Sequence, residues 1–184
     1  MKKSYDYFKT LKDLSVIVCE SFTCLSDSKT VNKNYLCFSA LRNELSEKLI
    51  DEFIAPIERN DIYNLTFCLY NEFGCVIKLS DFFSLSQTAF FDSLKEIGNL
   101  FYKQSEVFAL KDLLKMPEKG CSCLSGELFE CKKAKKIILA ETSDSICSHN
   151  HPLISYAIGS SCIETVSSIE TAYNEIGRVL VNNS

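Results

Sequence analysis

Cysteine and histidine side chains in the last third of the chain form one group that could bind a metal ion. The group has two parts, the first around residue 122 and the second around residue 149: Cys121, Cys123, Cys147, His149 and His151. Thiolates and imidazoles are the ligands that Zn²⁺ favours in proteins. However, the residues between the two parts predict a helix of about 22 residues, whose ends lie roughly 30 Å apart.

These two parts can share an ion only if that helix is interrupted or if two chains pair. Their spacing does not match a zinc finger. The alternative interpretation is structural: Cys123 packs, Cys121 is exposed and the histidines lie at the start of the next helix.

A run of four lysines lies within the same predicted helix, at Lys132, Lys133, Lys135 and Lys136. Such a run is usually the solvated face of a helix. It could also form a docking site for an acidic protein surface, phosphate or lipid headgroups.

Composition narrows the class of protein. The 184 residues carry a formal net charge of −4, which argues against nucleic acid as the main partner. The ten cysteines are scattered through helical patterns, so we expect most of them to be reduced residues in the core or next to it. No apolar run is long enough to cross a membrane and the N-terminus does not resemble a signal peptide, so we expect a cytoplasmic location.

We find no phosphate loop, nucleophile elbow or His–acid pair, so we expect no enzymatic activity.

Apolar residues recur at helical spacing along almost the whole chain, which predicts an all-α protein. We expect six main helices and no strand pair. Asp27, Ser28 and Thr30 are expected to mark a turn, residues 116–126 are expected to form a loop, and Ser84 or Ser86 is expected to cap the fourth helix. The predicted helices cover residues 5–25, 31–54, 59–83, about 86–113, about 128–146 and 152–179.

The connection between the second and third predicted helices has the most distinctive sequence, Phe-Ile-Ala-Pro-Ile-Glu-Arg-Asn-Asp-Ile at residues 53–62. Pro56 cannot continue the preceding helix, because it has no N–H and its ring clashes with the preceding turn. Acidic and amide side chains follow where the next helix leaves N–H groups unpaired. Phe53 and Ile57 can pack between the two helices.

This segment resembles the helical-hairpin signature of the PhoU-related phosphate-transport regulators, in the branch often encoded beside low-affinity, Pit-type phosphate permeases. Eight of its ten positions fit the pattern. The signature residues on which we rely are Phe53, Pro56, Ile57, Arg59 and Asp61. Arg59 is either paired with an acid of a neighbouring helix or a simple exposed charge.

The resemblance implies one PhoU-like domain over residues 1–184, built from six long antiparallel helices in two three-helix bundles. The corresponding halves are about 1–84 and 85–184. It also implies an adaptor that regulates phosphate transport by protein–protein docking, with a phosphate permease or a phosphate-sensing membrane complex as partner. The oligomeric state stays open, a homo-oligomer included.

Members of that family usually carry pairs of carboxylates, four residues apart, that bind metal ions. The corresponding positions of the first half hold Tyr35 and Ser39, and then Tyr70, Asn71 and Gly74, none of which is an acid. We therefore predict no multinuclear metal cluster in the first half.

In the second half, one acid of each expected pair remains. Glu130 is followed at the fourth residue by Ala134, and Glu170 by Asn174. Glu130, Glu170 and Asn174, with Glu164, either hold a divalent or trivalent metal ion or are ordinary surface residues. The alternatives to a phosphate-transport adaptor are therefore a metal-binding helical bundle, which uses these acids or the Cys/His group, and a divergent scaffold that has lost the family function.

Overall fold

A computed structural model describes residues 5–51, 55–83, 90–148 and 152–183 of the chain. These residues form seven helices and, within these ranges, no strand: α1 (Tyr7–Thr23), α2 (Ser28–Asp51), α3 (Arg59–Phe83), α4 (Phe91–Val107), α5 (Leu110–Leu113), α6 (Pro117–Ser148) and α7 (Pro152–Asn182). The all-α prediction is confirmed. α5 is a single short turn that the sequence did not predict. In the described part of the chain, no helix combines the length and the apolarity that a membrane crossing requires.

Helices α1, α2 and α3 all contact one another, and so do α4, α6 and α7. Additional contacts join α1 to α4 and α3 to α7. One hydrophobic cluster contains buried side chains from every long helix, including Leu14, Phe38, Phe73, Phe101 and Ile176. The helices therefore share a common core.

The longest helices run antiparallel to one another. Lys78 near the end of α3 contacts Glu164 in the first half of α7, whereas Asp61 at the start of α3 contacts Arg178 near the end of α7. Ser145 and Ser155, at the adjoining ends of α6 and α7, form a hydrogen bond of 3.1 Å.

The predicted turn at Asp27, Ser28 and Thr30 is wrong for its last two residues, because α2 begins at Ser28. Asp27 accepts hydrogen bonds from the backbone N–H groups of Lys29 and Thr30 and from the Thr30 hydroxyl. These bonds lower the pKa of Asp27, with the Thr30 hydroxyl as the largest cause. The side chain thus supplies the acceptor that the first turn of a helix requires.

The predicted loop over residues 116–126 is also wrong, because α6 begins at Pro117 and continues to Ser148. Proline at the first position of a helix loses no hydrogen bond, since that N–H has no acceptor within the helix. Gly120 serves close packing, because a Cβ atom there would lie only 2.7 Å from Leu180 Cδ1. Both residues that indicated a break are accommodated within the helix.

The predicted fourth helix ends earlier than expected. α4 stops at Val107, and α5 covers only Leu110–Leu113. Phe108 and Leu110 are both fully buried. Two residues that are two positions apart point to nearly opposite sides of a continuous helix, so the interruption allows both to reach the core.

Ser84 and Ser86, which were expected to cap this helix, lie outside the described residues. A residue of another helix binds the start of α4 instead. Glu141 of α6 accepts hydrogen bonds from the backbone N–H groups of Asp92 at 3.1 Å and Ser93 at 2.9 Å, and it also contacts the Ser93 hydroxyl. A carboxylate is well suited to this position, because the N-terminus of a helix carries partial positive charge.

Candidate functional site

A cavity lies over the outer side of α3, between α2 and α7. Its volume is about 540 Å³. Eleven residues line it: Tyr35, Tyr70, Asn71, Gly74, Cys75, Ile77, Lys78, Glu164, Ser167, Ser168 and Thr171. We call this cavity the α3 groove. Four of its lining residues, Tyr35, Tyr70, Asn71 and Gly74, are positions for which the resemblance described above implied metal-binding carboxylates.

Aromatic packing holds the two tyrosine rings of the α3 groove. The Tyr35 ring meets Phe73 edge to face, with 5.5 Å between the centroids. The Arg42 guanidinium lies 4.4 Å from the centre of the Tyr70 ring, a cation–π contact. Gly74 keeps the space above α3 open, since a Cβ atom there would meet nothing within 4 Å.

One ion pair supplies the charged groups among the lining residues. Lys78 Nζ lies 2.8 Å and 3.0 Å from the two carboxylate oxygens of Glu164. The hydrogen bond to Glu164, followed by its negative charge, raises the pKa of Lys78. The remaining polar lining consists of hydroxyl, thiol and amide groups, so the α3 groove is close to electrically neutral.

This composition does not suit a hard cation, which prefers several anionic oxygen ligands. Glu164 was one of the acids considered for a metal site, and here a lysine already neutralises it. Ser39, the remaining position of the expected first-half pairs, is not among the lining residues. Within residues 5–51, 55–83, 90–148 and 152–183, no three Cys, His, Asp or Glu side chains come together in a way that could bind a metal ion.

The second-half metal candidates lie in separate local contacts. Glu130 pairs with Lys133 at 3.3 Å on the same helix. Glu170 pairs with Lys135 of α6 at 2.5 Å. Asn174 is exposed on α7. Each acid therefore has a lysine partner.

The cysteine candidates lie at the two ends of one helix. Cys121 and Cys147 are both in α6, which continues without interruption between them. The 26 positions that separate them correspond to about 39 Å along the helix axis. A single ion cannot bind both in one chain. His149 and His151 lie outside the described residues.

The expected packing of the first two of these cysteines is reversed: Cys121 is half-buried and Cys123 is exposed. Cys121 shares the inner face of α6 with Leu124 and Leu128, three and seven positions later, whereas Cys123 points away from that face. All ten cysteines are unpaired.

The hairpin signature has one strongly buried polar residue. Asp61 is fully buried, and it accepts a hydrogen bond from Arg178 Nη2 at 2.5 Å and another from Asn183 Nδ2 at 3.3 Å. Ile57 is buried, Pro56 and Arg59 are exposed, and Phe53 lies outside the described residues. The signature thus connects the start of α3 to the end of α7 through Asp61.

Sequence reasoning missed a buried acid on the opposite side of α3. Glu72 is fully buried, and Gln104 Nε2 donates to its Oε1 at 2.6 Å. Its Oε2 has no hydrogen-bond partner among the described residues. Burial raises the pKa of Glu72 to about 8. The sequence does contain an indication of this burial, because Glu72 continues the apolar stripe of Leu65, Leu69 and Val76 at helical spacing.

No family model matches the chain. No curated protein matches it either.

Proposed function

We propose that this chain is a PhoU-related adaptor that regulates phosphate transport by docking onto a phosphate permease or a phosphate-sensing membrane complex. In this proposal the protein acts in the cytoplasm and catalyses no reaction. Its six long helices would form two three-helix units, α1–α3 and α4 with α6 and α7. The proposed arrangement is supported by the mutual contacts within each set of three helices.

The observation that carries the proposal is the burial of Asp61. The resemblance to the family rests on residues 53–62, and Asp61 is the signature residue with the most specific environment. Its contact with Arg178 spans 117 positions of the chain. A buried carboxylate requires such a partner, so the signature is part of the tertiary packing and not only of a local turn.

The proposed docking surface is the α3 groove together with the exposed aromatic residues that continue it. Tyr63 and Phe67 lie four positions apart on α3, and they precede Tyr70, Asn71 and Gly74 at helical spacing. Tyr63 is 59% exposed and Phe67 is 48% exposed. Exposed aromatic side chains beside a cavity are typical anchors of protein interfaces.

Phosphate uptake by cells that contain the permease, measured with and without this protein, tests the proposal. We expect the protein to change the rate of uptake. The double substitution Tyr63→Ala and Phe67→Ala should abolish that change while the melting temperature stays the same. The matched control, Phe91→Ala with Tyr102→Ala, removes two exposed aromatic residues from α4 and should retain the effect. Uptake that is identical with and without the protein would favour the divergent scaffold.

A further inference from the structure

The outer face of α6 carries apolar and basic side chains that do not contribute to the core. Phe129, Lys132, Lys136 and Leu139 follow one another at spacings of three, four and three residues, so they lie along one side of the helix. All four are exposed. Phe129 has 66% and Leu139 has 61% of its surface in solvent.

The start of α7 extends this surface. Leu139 and Tyr156 line the same shallow cavity of about 210 Å³ between α6 and α7. Tyr156 and Leu153, one turn earlier, are both largely exposed. We call Phe129, Lys132, Lys136, Leu139, Leu153 and Tyr156 together the basic-apolar face.

The charges of the lysine run divide into two groups. Lys133 and Lys135 are paired with Glu130 and Glu170. Lys132 and Lys136 have no carboxylate within ion-pair distance in the described part of the chain. Glu130 and Glu170 are thus already neutralised and do not offset the charges of Lys132 and Lys136. The basic-apolar face therefore carries net positive charge, although the total charge of the protein is −4.

We propose that the basic-apolar face docks onto a membrane surface that contains anionic phospholipids. Lysines that are flanked by aromatic and aliphatic residues on one side of a helix can bind lipid phosphates while the apolar side chains enter the interfacial region. A protein partner has less to dock into here than at the α3 groove, because the cavity beside Leu139 has a volume of about 210 Å³ and the α3 groove about 540 Å³. This inference goes beyond the proposed function and does not depend on it.

Sedimentation of the full chain with phosphatidylcholine vesicles, about one-third of whose lipid is phosphatidylserine, tests this proposal. We expect binding that weakens at high salt and that is at least about tenfold weaker with phosphatidylcholine alone. Lys132→Ala with Lys136→Ala should lower the affinity about tenfold or more, since each lysine contributes roughly fivefold. Phe129→Ser with Leu139→Ser should also reduce binding.

The matched control is Lys29→Ala with Lys33→Ala, which removes the same charge from exposed positions of α2. This control should bind like the parent, and circular dichroism melting should show that every variant is folded. Equal losses in the control and in the Lys132/Lys136 variant would overturn the proposal, because the effect would then follow total charge. Retention on immobilised polyglutamate without vesicle binding would also overturn it and would indicate an acidic protein partner.

Discussion

At the scale of single residues, Glu72 links stability to pH. Gln104 of α4 donates a hydrogen bond to its carboxyl group. The titratable groups that interact electrostatically with it include Cys68 and Cys75 of its own helix, Cys131 of α6 and Tyr173 of α7. None of these groups carries a positive charge that would compensate an ionised carboxylate. The pKa of Glu72 is raised from 4.5 to about 8, so the folded state holds a proton that the unfolded state releases at lower pH.

We therefore expect the stability of the parent protein, relative to Glu72→Gln, to fall as the pH rises from about 4.5 to about 8 and then to level off. The variant keeps the size of the side chain and removes its titration. Across this pH range, the difference in unfolding free energy between the two proteins should change by a few kcal/mol in favour of the variant. Urea unfolding midpoints measured across this pH range test the expectation, and parallel profiles for the two proteins would contradict it.

Asp61 and Arg178 form a second residue-scale determinant of stability. Arg178→Met should destabilise the protein by about 2–4 kcal/mol, because Asp61 is fully buried and, among the described residues, would keep only the 3.3 Å contact with Asn183. Adding Asp61→Asn should recover part of this loss by removing the buried charge. Chemical denaturation of the single and double variants measures both effects. Lys33→Met, at an exposed position of α2, is the control and should change the stability by less than about 0.5 kcal/mol.

At the scale of elements, the two longest helices approach each other closely at Gly159. A Cβ atom at this position of α7 would lie 2.0 Å from Thr142 Oγ1 and 2.9 Å from Thr142 Cβ. Gly159→Ala should therefore destabilise the protein by about 1–3 kcal/mol. Gly126→Ala has nothing within 4 Å of its new Cβ and should stabilise α6 by about 0.5–1 kcal/mol. Thermal melts of the two variants should shift in opposite directions, and equal shifts would refute the close-packing argument.

Helical periodicity predicted the elements well where a regular apolar stripe was present, as in α3 with Leu65, Leu69 and Val76. It failed at the start of α6. Proline and glycine are common in loops, but proline also occurs at the first position of a helix and glycine where two helices pack closely, as Pro117 and Gly120 do here. The distinction depends on Leu180 of α7, which lies near Gly120 only in the folded chain.

The sequence did not predict the α3 groove, for the same reason. The resemblance drew attention to Tyr35, Tyr70, Asn71 and Gly74 only as positions that lack the expected carboxylates, and all four line the groove. It did not indicate the wall that α7 contributes, because periodicity does not show which helix packs beside α3. The partner of Asp61 was missed for the same reason, since Arg178 also lies on α7.

At the scale of the whole molecule, the reactivity of each cysteine thiol shows whether it is buried in the common core. Burial raises the pKa of Cys68, Cys131 and Cys162 to about 12, so little reactive thiolate forms at neutral pH. We expect a thiol reagent to modify the exposed Cys37, Cys123 and Cys147 in seconds to minutes and the three buried residues only after unfolding. Mass spectrometry of labelled peptides in native buffer and in urea measures this. Rapid labelling of Cys162 in the native protein would show that α7 separates from the core.

The contact between Glu141 and the start of α4 has a consequence for the order in which the chain folds. The backbone donor of Asp92 finds its acceptor 49 positions later in the sequence. During synthesis from the N-terminus, the first turn of α4 therefore emerges well before the side chain that completes it. This turn can become stable only after most of α6 has been made and has packed, so the beginning of α4 should be among the last parts of the molecule to gain protection from hydrogen exchange during folding.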